Sequence, residues 1–499
     1  MKPAPSHLHD QLESRIFSLM FASILTLITA SASGCGGSSG TTPTTALTGN
    51  TNITVLASST ANARISEFNL YISGITLTSK TGKTAELLTT PVFPEFIHLN
   101  GSIEPMGTAS IPQDVYTSAT VAVGNGQFTC VAIDPSSGKL SLNEFSDGAV
   151  APSHVTVTLP QPITVTGASM GLALNLLVSQ SASYSSTCYS LGFPTFSITP
   201  NFSITPVTIS NSPTSSANGK ATSLNGQVST VDASGTLVNV AGADGPNLNG
   251  PSWPVIVNSS TVFQGVSGVP QLTAGIPVEI DAAIQQQGPM LATRISVADS
   301  VTTQLNIFTG PADLVFASQP VLNMFAREQQ GHLSQSVYYP GASVDFSNAR
   351  FRISSALANL QSLPFAPTFS AANIVPGQNI SITVHVASYL GGNVPADSVT
   401  LMPQAINGTV STVSSIGGFT TYTVVLASYD LFPVAAAQVF QVSQLANPNV
   451  VIAYADSNTS KLTTNPIAVG SVVRVYGLVF NDNGTLRMDC AQINDGVAL

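Results

Sequence analysis

Apolar and polar residues alternate along much of this chain with a period of two. "ITVLAS" at Ile53 and "FNLYISGITLTS" at Phe68 each put apolar side chains on one face of an extended segment. "YTSATVAVG" at Tyr116, "HVTVTLPQPITVTG" at His154 and "GLALNLLVS" at Gly171 do the same. Gly, Pro and Asn separate these runs. Short strands with turn residues between them predict an antiparallel sandwich or barrel. "FSITP" occurs at Phe196 and again at Phe202, each copy a short strand closed by Pro. "NSPTSSANGKATS" from Asn211 reads as a linker.

Beyond the linker the pattern repeats. "LNGQVSTV" at Leu224 returns as "INGTVSTV" at Ile406. "TLVNVAG" and "TYTVVLAS" follow as second strands, then "AGIPVEIDA" at Ala274 and "VGSVVRVYG" at Val469. The copies close on "GPMLATRISVAD" from Gly288 and "GTLRMDCAQIND" from Gly484. A weaker copy carries "VPGQNISITVHVAS" at Val375 and "ADSVTLMPQ" at Ala396. Repeats in fixed order mean modules, and five or six strands suit a small closed barrel. The fold class expected is mainly β: an antiparallel sandwich-like domain over 51–210, a linker over 211–222, then OB-like barrels at 223–299, 300–404 (divergent) and 405–499. These are expected to lie in a row. "RISSALANLQSL" from Arg352 and "VAAAQVFQVSQL" from Val434 are the candidates for short helices.

The first 50 residues differ. Lys2 and Arg15 precede an apolar run of roughly 15 residues from Ile16 to Ala30, too short to span a bilayer easily but right for a signal sequence. Ala32, Ser33 and Gly34 then lead to Cys35. This resembles a bacterial lipobox, although Leu is commoner where Ala32 stands. The resemblance implies cleavage before Cys35, a diacylglyceryl thioether on its sulfur and acylation of the new amino terminus. Several acyl chains anchor stably where one does not. In a Gram-negative cell, Gly36 after the cysteine favours the outer membrane. The alternative is an ordinary secretory signal with a chance cysteine. Residues 1–34 are thus read as signal and 35–50 as a Gly/Ser/Thr tether.

Composition narrows the function. Charged residues make up 8% of the 499, and the net charge is −10. Nucleic acid is excluded as a partner, because phosphate binding needs a cationic face. The expected partners are a membrane, through the acyl chains on Cys35, and an envelope protein or a polysaccharide.

No catalytic constellation emerges. Gly36-Gly-Ser-Ser-Gly40 fits G-x-S-x-G, but that motif needs a strand before Ser38 and a helix after it. Ser136-Ser-Gly-Lys139 fits S-x-x-K yet sits in a hairpin turn. Asp134 and the "NEFSDG" loop at Asn143 lack a calcium-loop spacing. His98, His154, His332 and His385 are dispersed. No metal, no cofactor and no enzymatic activity are expected. Trp253, between prolines, reads as part of a packed turn. Cys130 and Cys188 share the first domain, and in an exported protein such a pair forms a disulfide, the alternative being two buried thiols. Closing that loop stabilises by roughly 4 kcal/mol. Cys490 reads as a small core residue.

Two family resemblances follow from these motifs. "ISEFNLYISGITLTS", "FIHLNG" and "IPQDVYTSATVAVG" resemble domain of unknown function 4382, over about Asn52 to Pro206. The later modules resemble domain of unknown function 5666, through G-x-V, Thr261-Val-Phe263, G-x-x-V-x-[VI] and a closing A-x-x-I. The resemblance implies an OB-like barrel and brings no assigned activity.

Overall fold

The computed structural model describes residues 47–496 except 61–64, 98, 100–102, 134–139, 147–152, 185–195, 208–219, 243–251, 286–288, 298–305, 317–318, 327, 331–340, 355–359, 386–392, 428–429, 437–444 and 464. Cys35 and its lipobox residues Ala32, Ser33 and Gly34 lie outside the described residues. So do Cys188, His98, His332, Ser136 and Lys139. No described helix is long and apolar enough to cross a membrane. Strands dominate throughout, as the period-two pattern predicts.

The first domain holds β1 (Asn50–Ser59), β2 (Ile65–Ser79), β3 (Thr84–Leu88), β4 (Glu104–Pro112), β5 (Val115–Ile133) and β6 (Leu140–Ser146). It continues through β7 (Ser153–Thr164), β8 (Ser169–Leu176), β9 (Ala182–Tyr184), β10 (Phe196–Ile198) and β11 (Phe202–Val207). One sheet runs β11-β8-β1-β4. A second runs β3-β2-β5, with β6 and β7 both beside β5. Ile53 and Leu174 of the first sheet share one buried cluster with Phe68 and Val121 of the second, which makes a sandwich. The sandwich is not wholly antiparallel: β1 and β8 pair in parallel. Tyr116 donates its hydroxyl to the carbonyl of Pro112 at 2.9 Å, so "IPQDVY" pins the corner between β4 and β5.

The first barrel comprises β12 (Lys220–Val231), β13 (Leu237–Gly242), β14 (Ser252–Ile256), β15 (Val262–Gln264), β16 (Pro277–Ala283) and β17 (Met290–Ser296). The second comprises β18 (Asn306–Val315), β19 (Val321–Phe325), β20 (Glu328–Gln330), β21 (Gly341–Asp345), β22 (Arg350–Ile353), β23 (Asn379–Val384), β24 (Val394–Pro395) and β25 (Ser398–Leu401). The third comprises β26 (Gln404–Ile416), β27 (Phe419–Leu426), β28 (Val450–Leu462), β29 (Val472–Asp482) and β30 (Thr485–Asp495).

All three share one topology. Counting five strands per barrel, the order is 1-2-3-5-4 and strand 4 returns to strand 1. In the third barrel this is the closed ring β26-β27-β28-β30-β29. In the first, β14 pairs with β17 and closes the same ring. In the second, β21 and β22 together form strand 3, and β24 and β25 form strand 5. Strands 3 and 5 are parallel in every copy. This is the OB-like arrangement.

Two motif residues explain themselves in this frame. Gly226 and Gly408, the glycines of the repeated "NG", lie where strand 1 pairs with strands 2 and 4 together. A Cβ on Gly226 would sit 2.5 Å from the Ala241 carbonyl and 2.6 Å from Val240 Cγ1. One on Gly408 would press the Val425 carbonyl and lie 2.7 Å from Val424 Cγ1. Only glycine allows that approach at a barrel corner. Thr261, the threonine of T-x-F, follows the break between β14 and β15. Its Oγ1 donates to the Ala292 carbonyl of strand 5 at 2.8 Å.

The structure corrects several expectations. Trp253 is not in a turn: it lies in β14, 1% exposed, inside the first barrel. The segment from Arg352 begins as the end of β22, because it pairs in parallel with β25, and among its described residues Leu360–Ser362 turns helically, as 3-10. The helix near Val434 spans Leu431–Ala436, starting earlier than expected.

Nor do the barrels form a simple row. Leu56 and Ala173, on the outer face of the first sheet, join the core of the first barrel. Leu478 and Phe480 of the third barrel enter the core of the second. Arg474 of the third barrel donates to the carbonyl of Ser59, at the end of β1, at 2.9 Å. That contact joins residues 415 positions apart, so the last barrel returns to the first domain.

Candidate functional site

In the third barrel the outer face of strands 2 and 3, where OB-like barrels take ligands, is covered by the chain itself around Phe419 and Tyr454, while Val425 of strand 2 stays 42% exposed. Leu363, Phe419 and Tyr454 form one buried cluster. Phe365 stacks 5.1 Å from Tyr454, and the Arg487 guanidinium lies 5.6 Å over the Phe365 ring. The covering segment comes from the second barrel, between β22 and β23. That part of the face is interface, and an open concavity lies elsewhere.

That concavity is a cleft of about 670 Å³ between the first and second barrels. The first barrel contributes Asn225, Gln264, Glu279 and Ser296 to its polar wall. The second contributes Arg352, Ser354, Ser381, Thr383 and Thr400. Val278, Val297, Ile307, Ile353 and Met402 supply apolar floor. The alternation of strands produces this wall. In β23, Ile380, Ile382 and Val384 fill the barrel, so Ser381 and Thr383 must face outward.

Electrostatics centre on Arg294, 6% exposed on β17. Its Nη2 donates to Glu279 Oε1 at 3.0 Å and its Nε to Asp281 Oδ2 at 2.8 Å. Burial opposes its charge, but Glu279 and Asp281 more than offset this and hold its pKa above the ordinary value. Ser354 of the second barrel donates to the same Glu279 Oε1 at 2.9 Å, bridging the two barrels. Behind the wall, Thr309 donates to Ser381 at 3.2 Å, and the hydroxyls of Thr383 and Ser398 are 2.6 Å apart.

The remaining candidates separate. His154 is exposed on β7. His385, just past β23, places Nδ1 2.5 Å from Asp397 Oδ2, and its backbone N–H donates to the same oxygen at 2.8 Å. This resembles half of a hydrolase triad. The adjacent Ser398 hydroxyl is instead buried against Thr383. Among the described residues, no group of three or more His, Cys, Asp or Glu is placed to hold a metal. "NEFS" from Asn143 lies within β6, a paired strand and not a loop. Cys130 is fully buried and disulfide-bonded. Cys490 is a free, buried thiol in the third barrel core, its pKa pushed far up by burial and then by Asp489.

Sequence reasoning missed the cleft. One signal was available: Glu279, Asp281 and Arg294 are charged residues inside otherwise apolar strands, in a chain with few charges.

The comparisons bear on one wall of this cleft. Residues 218–296 match the domain of unknown function DUF5666. The matched segment coincides with the first barrel, so that barrel's contribution to the cleft, including Glu279, Asp281 and Arg294, falls within the match. No curated protein and no solved structure matches the chain.

Proposed function

We propose that this chain is an exported, lipid-anchored envelope protein whose β-domains bind and do not catalyse. The disulfide at Cys130 carries the reading, because disulfides persist in oxidising compartments outside the cytosol. Cys188 is the proposed partner: Cys490 is free, and Cys35 is assigned to the anchor. The lipobox-like Ala32-Ser33-Gly34-Cys35 supplies the anchor, and 35–50 the tether to β1. Gly36 favours the outer membrane. The first domain is proposed as a relative of domain of unknown function 4382, resting on the Tyr116 corner and its flanking strands. The third barrel is proposed as a second copy of DUF5666, resting on its shared topology and the Gly226/Gly408 correspondence.

The favoured role is structural or adhesive, toward another envelope protein or a polymer. A second reading, a carbohydrate-binding or periplasmic accessory protein that presents a ligand to a partner, draws on the polar cleft between the barrels. Fractionation tests the proposal. Wild-type chain is expected in the membrane fraction and Cys35→Ala in the soluble periplasm. Cytosolic wild-type chain with reduced Cys130 contradicts it.

A further inference from the structure

We propose that the cleft between the first and second barrels binds a neutral polyhydroxylated ligand, a short oligosaccharide. This rests on the binding reading above and names its ligand class and residues. The volume of about 670 Å³ falls within the range of ligand pockets, roughly 300–1,000 Å³.

The lining selects the ligand by its chemistry. Asn225, Gln264, Ser296, Ser354, Ser381 and Thr400 carry groups that donate and accept. A ligand that matches them offers many hydroxyls in a small volume. The formal charges in the wall cancel, Glu279 against Arg352, with Arg294 and Asp281 paired behind them. An ionic ligand finds no net charge to meet. Both hydrogen bonds to the Glu279 side chain fall on Oε1, so Oε2 remains to accept from ligand hydroxyls. Its side chain is 15% exposed, and it lines the cleft. Arg352 lines the cleft from the opposite barrel. Ile307 and Met402 add apolar surface to the lining. Strand addition by a peptide is disfavoured, because β16, β17, β23 and β25 are each paired on both sides.

The test uses the full mature chain in detergent, titrated by calorimetry. The probes are neutral trisaccharides of glucose, mannose and N-acetylglucosamine, with trigalacturonic acid as the acidic control. Saturable binding of a neutral probe is expected, weakened at least about tenfold by Arg352→Ala and by Glu279→Gln. Gln264→Ala leaves the ion pairs intact, so it keeps the test decisive if Glu279→Gln disturbs folding; it too is expected to weaken binding. No saturable binding of any neutral probe overturns the proposal. So does binding of the acidic control alone, or neutral binding indifferent to the three variants. An acylated Cys35 in the same preparation separates failure of the ligand assignment from failure of the envelope reading.

Discussion

Thr459 Oγ1 donates to the carbonyl of Cys490 at 2.7 Å, at the point where strand 3 of the third barrel breaks its register. The same oxygen accepts from the Asp456 N–H at 2.9 Å. Thr261 makes the equivalent bond to Ala292 in the first barrel and accepts from the Asn258 N–H at 3.2 Å. Thr459→Val should therefore leave a buried donor and a buried acceptor without this partner, costing about 1–3 kcal/mol. Thr459→Ser should recover most of it. Urea denaturation of both variants checks this, and equal loss in the two would contradict the hydroxyl's role.

The correspondence of Gly226 and Gly408 makes a matched prediction. Either Gly→Ala change forces a Cβ into the backbone and a valine of strand 2, which cannot yield as a flexible side chain would. A loss of about 1–3 kcal/mol or more is expected at each site. Gly235, at a turn in the first barrel, has φ of +68°, and a Cβ there would meet only Val269 Cγ1, at an ordinary contact distance of 3.6 Å. Gly235→Ala should cost less than Gly226→Ala, and thermal melts rank the three.

Arg474 fastens the third barrel to the first domain. Burial lowers its pKa to about 10, so its charge persists at neutral pH. Arg474→Ala removes the donor to Ser59 and opens space at that contact. The wild type is expected to melt in one calorimetric transition and the variant in two. A single unshifted transition in the variant would show that the contact holds nothing.

Two buried acids give a pH dependence of unusual sign. Burial raises Asp430 to about 7, against backbone hydrogen bonds that favour its charged form. Burial, then the nearby Asp456, raises Asp489 to about 6. Between about pH 4 and the folded values the unfolded chain has lost these protons and the folded chain has kept them. Each group therefore lowers stability as pH rises, by about 1.4 kcal/mol per pH unit across its window. Asp430→Asn should gain more over wild type at pH 7.5 than at pH 4.5, as measured by urea midpoints. An equal or opposite difference would contradict the assignment.

Much of the β architecture was legible because alternation reports which strand face is buried. The repeats were legible because Gly226, Gly408 and Thr261 answer local steric and hydrogen-bonding demands that recur in the first and third barrels. The divergent second barrel kept the topology through β23 and β25, the segments that read as a weak copy. What the pattern left open is how barrels meet. "VYGLVF" from Val475 is apolar at both alternating positions, which marks a strand buried on two faces but not what covers the second. Leu478 and Phe480 answer that only in the folded chain. The cleft was hidden for the same reason, since Glu279 and Ser354 lie 75 residues apart. The parallel β1–β8 pair was hidden too, because alternation is blind to strand direction.

The envelope reading proposed above stands on attachment through Cys35. Intact-mass and peptide mass spectrometry of the chain purified from membranes is the decisive check. The expected result is a mature chain that begins at Cys35, carries the mass of a diacylglyceryl group and an N-acyl chain, and loses both in Cys35→Ala. An unmodified amino terminus at any other residue would rule the anchor out.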